Sequence, residues 1–289
     1  MLNGCNIILI LAIITLIILM LNIPKIIRVD ERDIEGMLYT FTGKHLENIR
    51  GSDKPLKIPR NIIQTVPDKT DISDEMKENM LKLKRMNPNW NYHLYDDNEI
   101  LSFITSNYPE LLPSYLKINP AYGPARADFF RYLIIFHIGG VYLDSKSGII
   151  KPLDEILLPS DTFVFQLSAG YEHPIDIKYF NGKEINQWFI VSTAGNPIIK
   201  KVFNNMLKNI NDTDNIDYRG KLGVLRLTGP IMYTNSIASV LTQFPSRRIH
   251  PDSNSLGGFI YNNIPKTDYR TSYSTKPHYS TLKIPILYQ

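Results

Sequence analysis

A single cysteine, Cys5, stands in the 289 residues, so no internal disulfide can form and a disulfide-stapled scaffold is excluded. Neither that cysteine nor the histidines fall at zinc-ligand spacing. Internal repeats are absent, which excludes solenoids and propellers, and no glycine-rich loop has the spacing of a phosphate cradle. Charge of one sign is scarce too: the formal net charge is +4 and is spread along the chain, so nothing marks a nucleic-acid partner. Apolar and aromatic residues are plentiful. A hydrophobic share of 43% with 17 Tyr and 12 Phe can fill a sizeable core, and residues 58–289 suit one α/β domain.

Long apolar runs are confined to one place. Ile7 to Leu21 is apolar apart from Thr15, and at about 1.5 Å per residue it reaches roughly 22 Å. A hydrocarbon core is about 30 Å thick, a gap that Leu2 and Ile23 at the flanks help to close. No basic region precedes the run, and Asn22-Ile23-Pro24 is a poor cleavage site. Residues 1–29 therefore read as a membrane-anchor helix rather than a cleaved signal peptide, which makes this a single-pass membrane protein. Orientation is left open by the residues. Lys25 and Arg28 after the span favour a cytosolic domain, whereas the glycan-acceptor triplet Asn211-Asp212-Thr213 favours an endomembrane lumen. Residues 30–57, from Asp30-Glu31-Arg32-Asp33 to Gly51-Ser52-Asp53-Lys54-Pro55, read as a charged stem.

Beyond the stem, strand and helix signals alternate, which predicts an open α/β sheet flanked by helices. Asn61 to Thr65 is the expected first strand, with Thr65 at its C-terminal end. Ser73 caps a helix to Arg85, Trp90 to Tyr95 alternates as a strand, and Asp96 with Glu99 makes a capping box for a helix to Ser106. Pro152-Leu153-Asp154-Glu155 leads into a short helical turn, and Thr162 to Leu167 and Gln187 to Thr193 are further strands. Asn196-Pro197 starts a helix to Lys208, and Pro230 opens one to about Leu241. The Tyr-, Pro- and Asn-rich tail from Pro245 reads as loops folded over the sheet.

The stretch from 124 to 147 organises the rest. Pro124 suits a first helical turn, an apolar body follows to Phe136, and Gly139-Gly140 ends the helix. Val141 to Leu143 is a short buried strand, which sets Asp144 at its C-terminal end, where open α/β sheets bind ligands. Asp128 and Arg131 share a helix face three residues apart. On a helix this apolar their charges need each other or a polar ligand. An internal ion pair is the bland alternative.

Ala125-Arg126-Ala127-Asp128, Arg131-Tyr132 and Gly139-Gly140-Val141-Tyr142-Leu143-Asp144 together resemble the signature of the DXD-motif sugar transferases of glycosyltransferase family 32. Ile58 to Thr65, Asn87 to Trp90 with Asp96-Asp97, and Lys151 to Asp154 are similar to further segments of that family in the same order. Thinner likeness follows at Asn186, Thr228-Gly229-Pro230 and His278. The resemblance implies a single GT-A-like catalytic domain over 58–289, lumenal, moving a hexose from a UDP- or GDP-sugar to a glycan, lipid or protein acceptor with retention of configuration. It implies Asp128, Arg131, Asp144 and Asn186 around the donor, and Asp144, Lys146 and Arg131 as catalytic groups; Thr65 joins the donor set by its place at the end of the first strand, and Trp188 either lines the site, on the donor or acceptor side, or packs in the core. It also implies a divalent cation, Mn²⁺ or Mg²⁺, held by Asp144 and His278. This chain departs from the family at one position: the second acid of the DXD motif is Lys146. Either the ammonium replaces part of the metal's charge beside the diphosphate, or activity is lost or served by other ligands. Two alternatives stand beside the transferase reading: a nucleotide-sugar-binding protein without turnover, and a membrane-anchored structural α/β protein.

Overall fold

The computed structural model describes residues 56–212, 218–249, 256–264 and 278–288. The expected anchor at 1–29 and nearly all of the stem at 30–57 lie outside the described residues. Among those described, no helix is long and apolar enough to cross a membrane.

The sheet is built from short strands: β1 (Asn61–Thr65), β2 (Asn91–Tyr95), β3 (Gly140–Leu143), β5 (Phe163–Phe165), β8 (Phe189–Ser192) and β9 (Arg247–Arg248), in the order β2-β1-β3-β8-β5-β9. β1 runs parallel to β2 and β3, and β5 runs parallel to β9. β8 lies antiparallel to β3 and β5. The sheet is therefore mixed, and the C-terminal ends of five strands share one edge with the entry to β8. Two antiparallel pairs accompany it: β4 (Gly148–Ile149) with β10 (Phe259–Ile260), and β6 (Leu167–Glu172) with β7 (Lys183–Ile185).

Side chains alternate across this sheet with the period of two that strands impose. Ile63, Tyr142, Ile190, Phe163 and Phe165 enter one buried cluster, and Ile62, Val141, Leu143, Val164, Phe189 and Val191 enter the other. The first cluster is shared with α4 (Gly123–Ile138), α6 (Pro197–Asn211), α7 (Gly220–Leu227) and α8 (Pro230–Ala238). The second receives α5 (Leu153–Ile156) and β10. A smaller cluster, Val66, Ile72, Met76 and Met80, lies under α1 (Asp74–Met86).

Helix starts follow their sequence signals. Ser73 Oγ accepts from the Met76 amide ahead of α1. Asp96 and Glu99 complete a reciprocal capping box for α2 (Asp97–Asn107), which satisfies two otherwise orphaned amides. Asn196 caps α6 with Pro197 in its first turn. The strand expected from Thr162 to Leu167 is interrupted: β5 ends at Phe165 and β6 begins at Leu167, because the chain leaves the central sheet at Gln166 to pair with β7. Two helices have no counterpart among the expected elements, α3 (Leu112–Lys117) and α7. The helix from Pro230 stops at Ala238 rather than near Leu241. The tail contributes β9 to the sheet edge and a final segment that bridges Leu287 to Ile118 and Pro285 to Arg219.

α4 and β3 are joined directly through Gly139. Gly139 has φ +64° and Gly140 φ +115°, both in the region that side chains avoid. A Cβ on Gly140 would lie 2.4 Å from the Asn61 carbonyl oxygen. Glycine at 140 therefore lets β3 approach β1, and the Asn61 amide secures the turn through the Ile138 carbonyl at 3.2 Å.

Candidate functional site

α4 is apolar nearly all round, with Phe129, Phe130, Leu133, Ile134 and Ile135 buried, as expected of a helix packed on several sides. Asp128 and Arg131 share its interior, their side chains 6% and 8% exposed. Arg131 Nη2 lies 3.3 Å from Asp128 Oδ1 and 3.1 Å from Asp144 Oδ1. Asp144 meets Arg131 because it continues the Tyr142 side of β3, the side that faces α4. Arg131 Nη1 donates to the Gln187 carbonyl at 3.0 Å, and its guanidinium lies over the Tyr142 ring, 4.8 Å from the centroid. The ion pair expected within the helix is thus one half of a bridge that reaches the end of β3.

Asp128 is saturated from within the protein. Thr228 Oγ1 donates to Oδ2 at 2.8 Å and Gln187 Nε2 to Oδ1 at 3.0 Å. Tyr132 joins the same network, donating to the Thr228 carbonyl at 2.8 Å and touching Gln187 Nε2. Burial pushes the Asp128 carboxyl up to about 6, against the pull of Arg131 and the Thr228 hydroxyl. Burial also works against the charge on Arg131, but Asp144, Tyr142 and Asp128 outweigh it and hold the guanidinium firmly protonated.

Asp144 is different: 34% of its side chain is exposed. Desolvation raises its pKa, opposed by Arg131, by the Tyr142 hydroxyl and by Lys146. Desolvation lowers the pKa of Lys146, and Asp144 partly restores it. The turn that carries both is held rigidly. Ser147 N donates to the Asp144 carbonyl at 2.7 Å, Asn263 N to the Lys146 carbonyl at 2.7 Å, and Gln64 Nε2 to the Asp144 carbonyl at 3.1 Å. The buried Asn79 amide donates to the Ser147 carbonyl at 3.0 Å and accepts from Asn263 Nδ2 at 2.8 Å.

Thr65, expected near the donor, closes β1 beside this group, its hydroxyl 2.9 Å from Tyr142 Oη. Asn186 turns elsewhere, its amide donating to Gln166 Oε1 at 2.8 Å. Trp188 is half-buried against Phe189 and Tyr261, with ring centroids 4.8 and 5.4 Å apart. The His278 imidazole serves its own turn, Nδ1 lying 2.7 Å from Ser280 Oγ. The residue after it, Tyr279, packs on the main core, and its phenol is pushed up to about 12 by burial and by the nearby charges of Asp128, Tyr261 and Asp144. Its only sequence signal is its place beside His278. Gln187 and Asn79 carry no assignment from sequence and Tyr132 enters only as part of the signature, since their partners lie far along the chain. Asn211 is engaged as well. Its amide donates to Ser114 Oγ at 2.9 Å and to the Leu207 carbonyl at 3.0 Å, using both hydrogens within the fold.

The donor set suits a divalent cation poorly. Asp144 is the only carboxylate of the turn, one oxygen already faces Arg131, and an ammonium occupies the next position but one. Asp128 is fully engaged. Among the described residues no three His, Cys, Asp or Glu side chains are grouped to hold a metal ion.

Residues 73–164 match the family model for the glycosyltransferase sugar-binding region containing the DXD motif. Inositol phosphoceramide mannosyltransferase 1 of Schizosaccharomyces pombe is 30% identical over 157 residues, covering 53% of this chain and 44% of that protein. The mannosyl phosphorylinositol ceramide synthase SUR1 of Saccharomyces cerevisiae is 38% identical over 104 residues, 36% of this chain and 26% of its own. The initiation-specific alpha-1,6-mannosyltransferase of Candida albicans is 29% identical over 168 residues, 52% and 43% respectively. The chain thus spans less than half the length of these relatives. Among solved structures, the PaToxG glycosyltransferase is similar at TM-score 0.48 and 18% identity, over 72% of this chain and 78% of its own.

Proposed function

We infer, on the premise that residues 73–164 form a glycosyltransferase sugar-binding region of the DXD type, that this protein moves a sugar from a nucleoside-diphosphate sugar to a glycan, lipid or protein acceptor. The observation that carries the reading is the Asp128–Arg131–Asp144 bridge, which sets a partly exposed carboxylate at the C-terminal end of a central strand. On this reading the domain is GT-A-like, and residues 1–29 tether it to a membrane. Asp144 and Thr65 receive the nucleoside side of the donor, Arg131 and Lys146 face the diphosphate, and Trp188 with Tyr279 borders the sugar.

The reaction breaks the bond between the anomeric carbon and a β-phosphate oxygen, and the electron pair leaves with the diphosphate. The acceptor hydroxyl oxygen bonds to that carbon, and its proton departs with the nucleoside diphosphate. Positive groups fixed where charge develops lower such a barrier, each commonly by about 3 kcal/mol or more. Asp128 keeps Arg131 in place rather than touching the donor, because its oxygens are occupied within the protein. The relatives above carry mannosyl-transfer names, so GDP-mannose heads the donors to try.

The test is hydrolysis or transfer from a panel of UDP- and GDP-sugars by the full-length chain in detergent, beside Asp144→Asn. Turnover of one donor that disappears in the folded variant is the expected result. Saturable binding without turnover makes the chain a nucleotide-sugar-binding protein. Neither binding nor turnover of any donor refutes the reading and leaves the three charges as structural.

A further inference from the structure

Resting on the transferase reading, we propose that Lys146 takes the place of the divalent cation, so that the protein binds nucleoside diphosphate and transfers sugar without a metal ion. The inference starts from charge. A DXD pair brings two carboxylates and a divalent ion, which cancel; here Asp144 and Lys146 cancel by themselves. Exchanging the second acid for lysine changes the local charge by two units, which is the charge of the ion it displaces. The site offers the same net charge to a diphosphate with no ion present. Adding one would place it among Arg131, Lys146 and a carboxylate whose Oδ1 lies 3.1 Å from Arg131 Nη2.

Geometry supports the same conclusion. Divalent Mg²⁺ requires a near-octahedral oxygen shell and leans on free carboxylate oxygens and phosphates. Asp128 is buried, and both its oxygens already accept hydrogen bonds, from Thr228 Oγ1 and Gln187 Nε2. The Asp144–Ser147 turn is pinned through the Asp144, Ser145, Lys146 and Ser147 carbonyls, so the backbone carrying Lys146 is preorganised. A cation carried on a fixed backbone beside a developing diphosphate charge needs little rearrangement at the moment of bond cleavage. Lysine suits the role as a point charge on a flexible stem.

Two readouts test this in the full-length chain. Binding of UDP and GDP by calorimetry, with EDTA and with Mn²⁺, is expected to agree within about twofold, the precision of such constants. Donor turnover is expected to survive EDTA. Lys146→Ala should lower turnover roughly 100-fold or more, Lys146→Arg should recover part of it, and Lys146→Asp should bind nucleoside diphosphate tightly only when Mn²⁺ is supplied. Wild-type turnover abolished by EDTA and restored by Mn²⁺ would overturn the metal-free inference while leaving the transferase intact. Wild-type diphosphate binding that strengthens tenfold or more with Mn²⁺ would do the same. No binding and no turnover under any condition would overturn both.

Discussion

Replacing Asp128 by asparagine isolates the energetics of the buried charge network. The carboxyl rises from 3.8 in a solvated chain to about 6 in the fold, and each pKa unit is worth about 1.4 kcal/mol. The group therefore carries a linkage of about 3 kcal/mol. The sign follows from proton counts. Between about pH 4 and 6 the folded state holds a proton that the unfolded chain has released, so stability falls as pH rises through that window. Below it both states are protonated, and above it the penalty is complete. Asparagine does not titrate. Its amide can keep the contacts with Gln187 and Thr228, while Arg131 retains Asp144. The stability difference between wild type and Asp128→Asn should therefore drift by about 3 kcal/mol from pH 4 to 7, with wild type relatively better at the acid end. Other groups titrate in both proteins and cancel. Urea unfolding followed by the fluorescence of Trp90 and Trp188 at a series of pH values reads it directly. A difference that stays flat within about 0.5 kcal/mol would show that the fold does not raise the Asp128 pKa, and the balance described for the network would be wrong.

Three other perturbations probe different parts of the site. Gly140→Ala forces a Cβ to 2.4 Å from the Asn61 carbonyl oxygen at φ +115°, and should cost more than about 2 kcal/mol, seen as a lowered Tm. Asn79→Ala frees the Ser145 and Ser147 carbonyls and the Asn263 amide. It should cost about 1–3 kcal/mol and lower donor turnover, whereas unchanged turnover would show that the 144–147 turn holds its shape without Asn79. Tyr279→Phe removes one hydroxyl near Asp128 and Asp144. It should leave Tm within a few degrees of wild type while weakening donor binding, and unaltered binding on titration would remove Tyr279 from the site.

Much of the helical framework could be read from residues alone because its signals are local. Ser73, the Asp96 and Glu99 pair, Asn196 with Pro197, and Pro124 with Gly139 each fix a helix end through contacts a few residues away. The Asp128–Arg131 pair was equally legible, being one turn of helix. The missed elements carry weaker punctuation. α3 is six residues long and has no side-chain cap, only Pro113 in its first turn, and α7 begins at Gly220, a residue with φ +58° that no helix-start rule favours. The break at Gln166 was hidden because β5 and β6 are separated by that single residue in sequence.

What the sequence alone determined is the α/β alternation, the buried character of the helix from Pro124, the acid at the end of β3 and the lysine two residues beyond it. These follow from periodicity, caps and a motif, all properties of neighbouring residues. Only the tertiary structure decided which groups meet those charges. Gln187, Thr228, Tyr142 and Asn79 reach the site from separate elements, brought together by the sheet order and by the antiparallel course of β8. A hydrogen bond between residues a hundred positions apart, such as Thr228 to Asp128, leaves no periodic trace, because its existence depends on where two elements pack and not on what either one is.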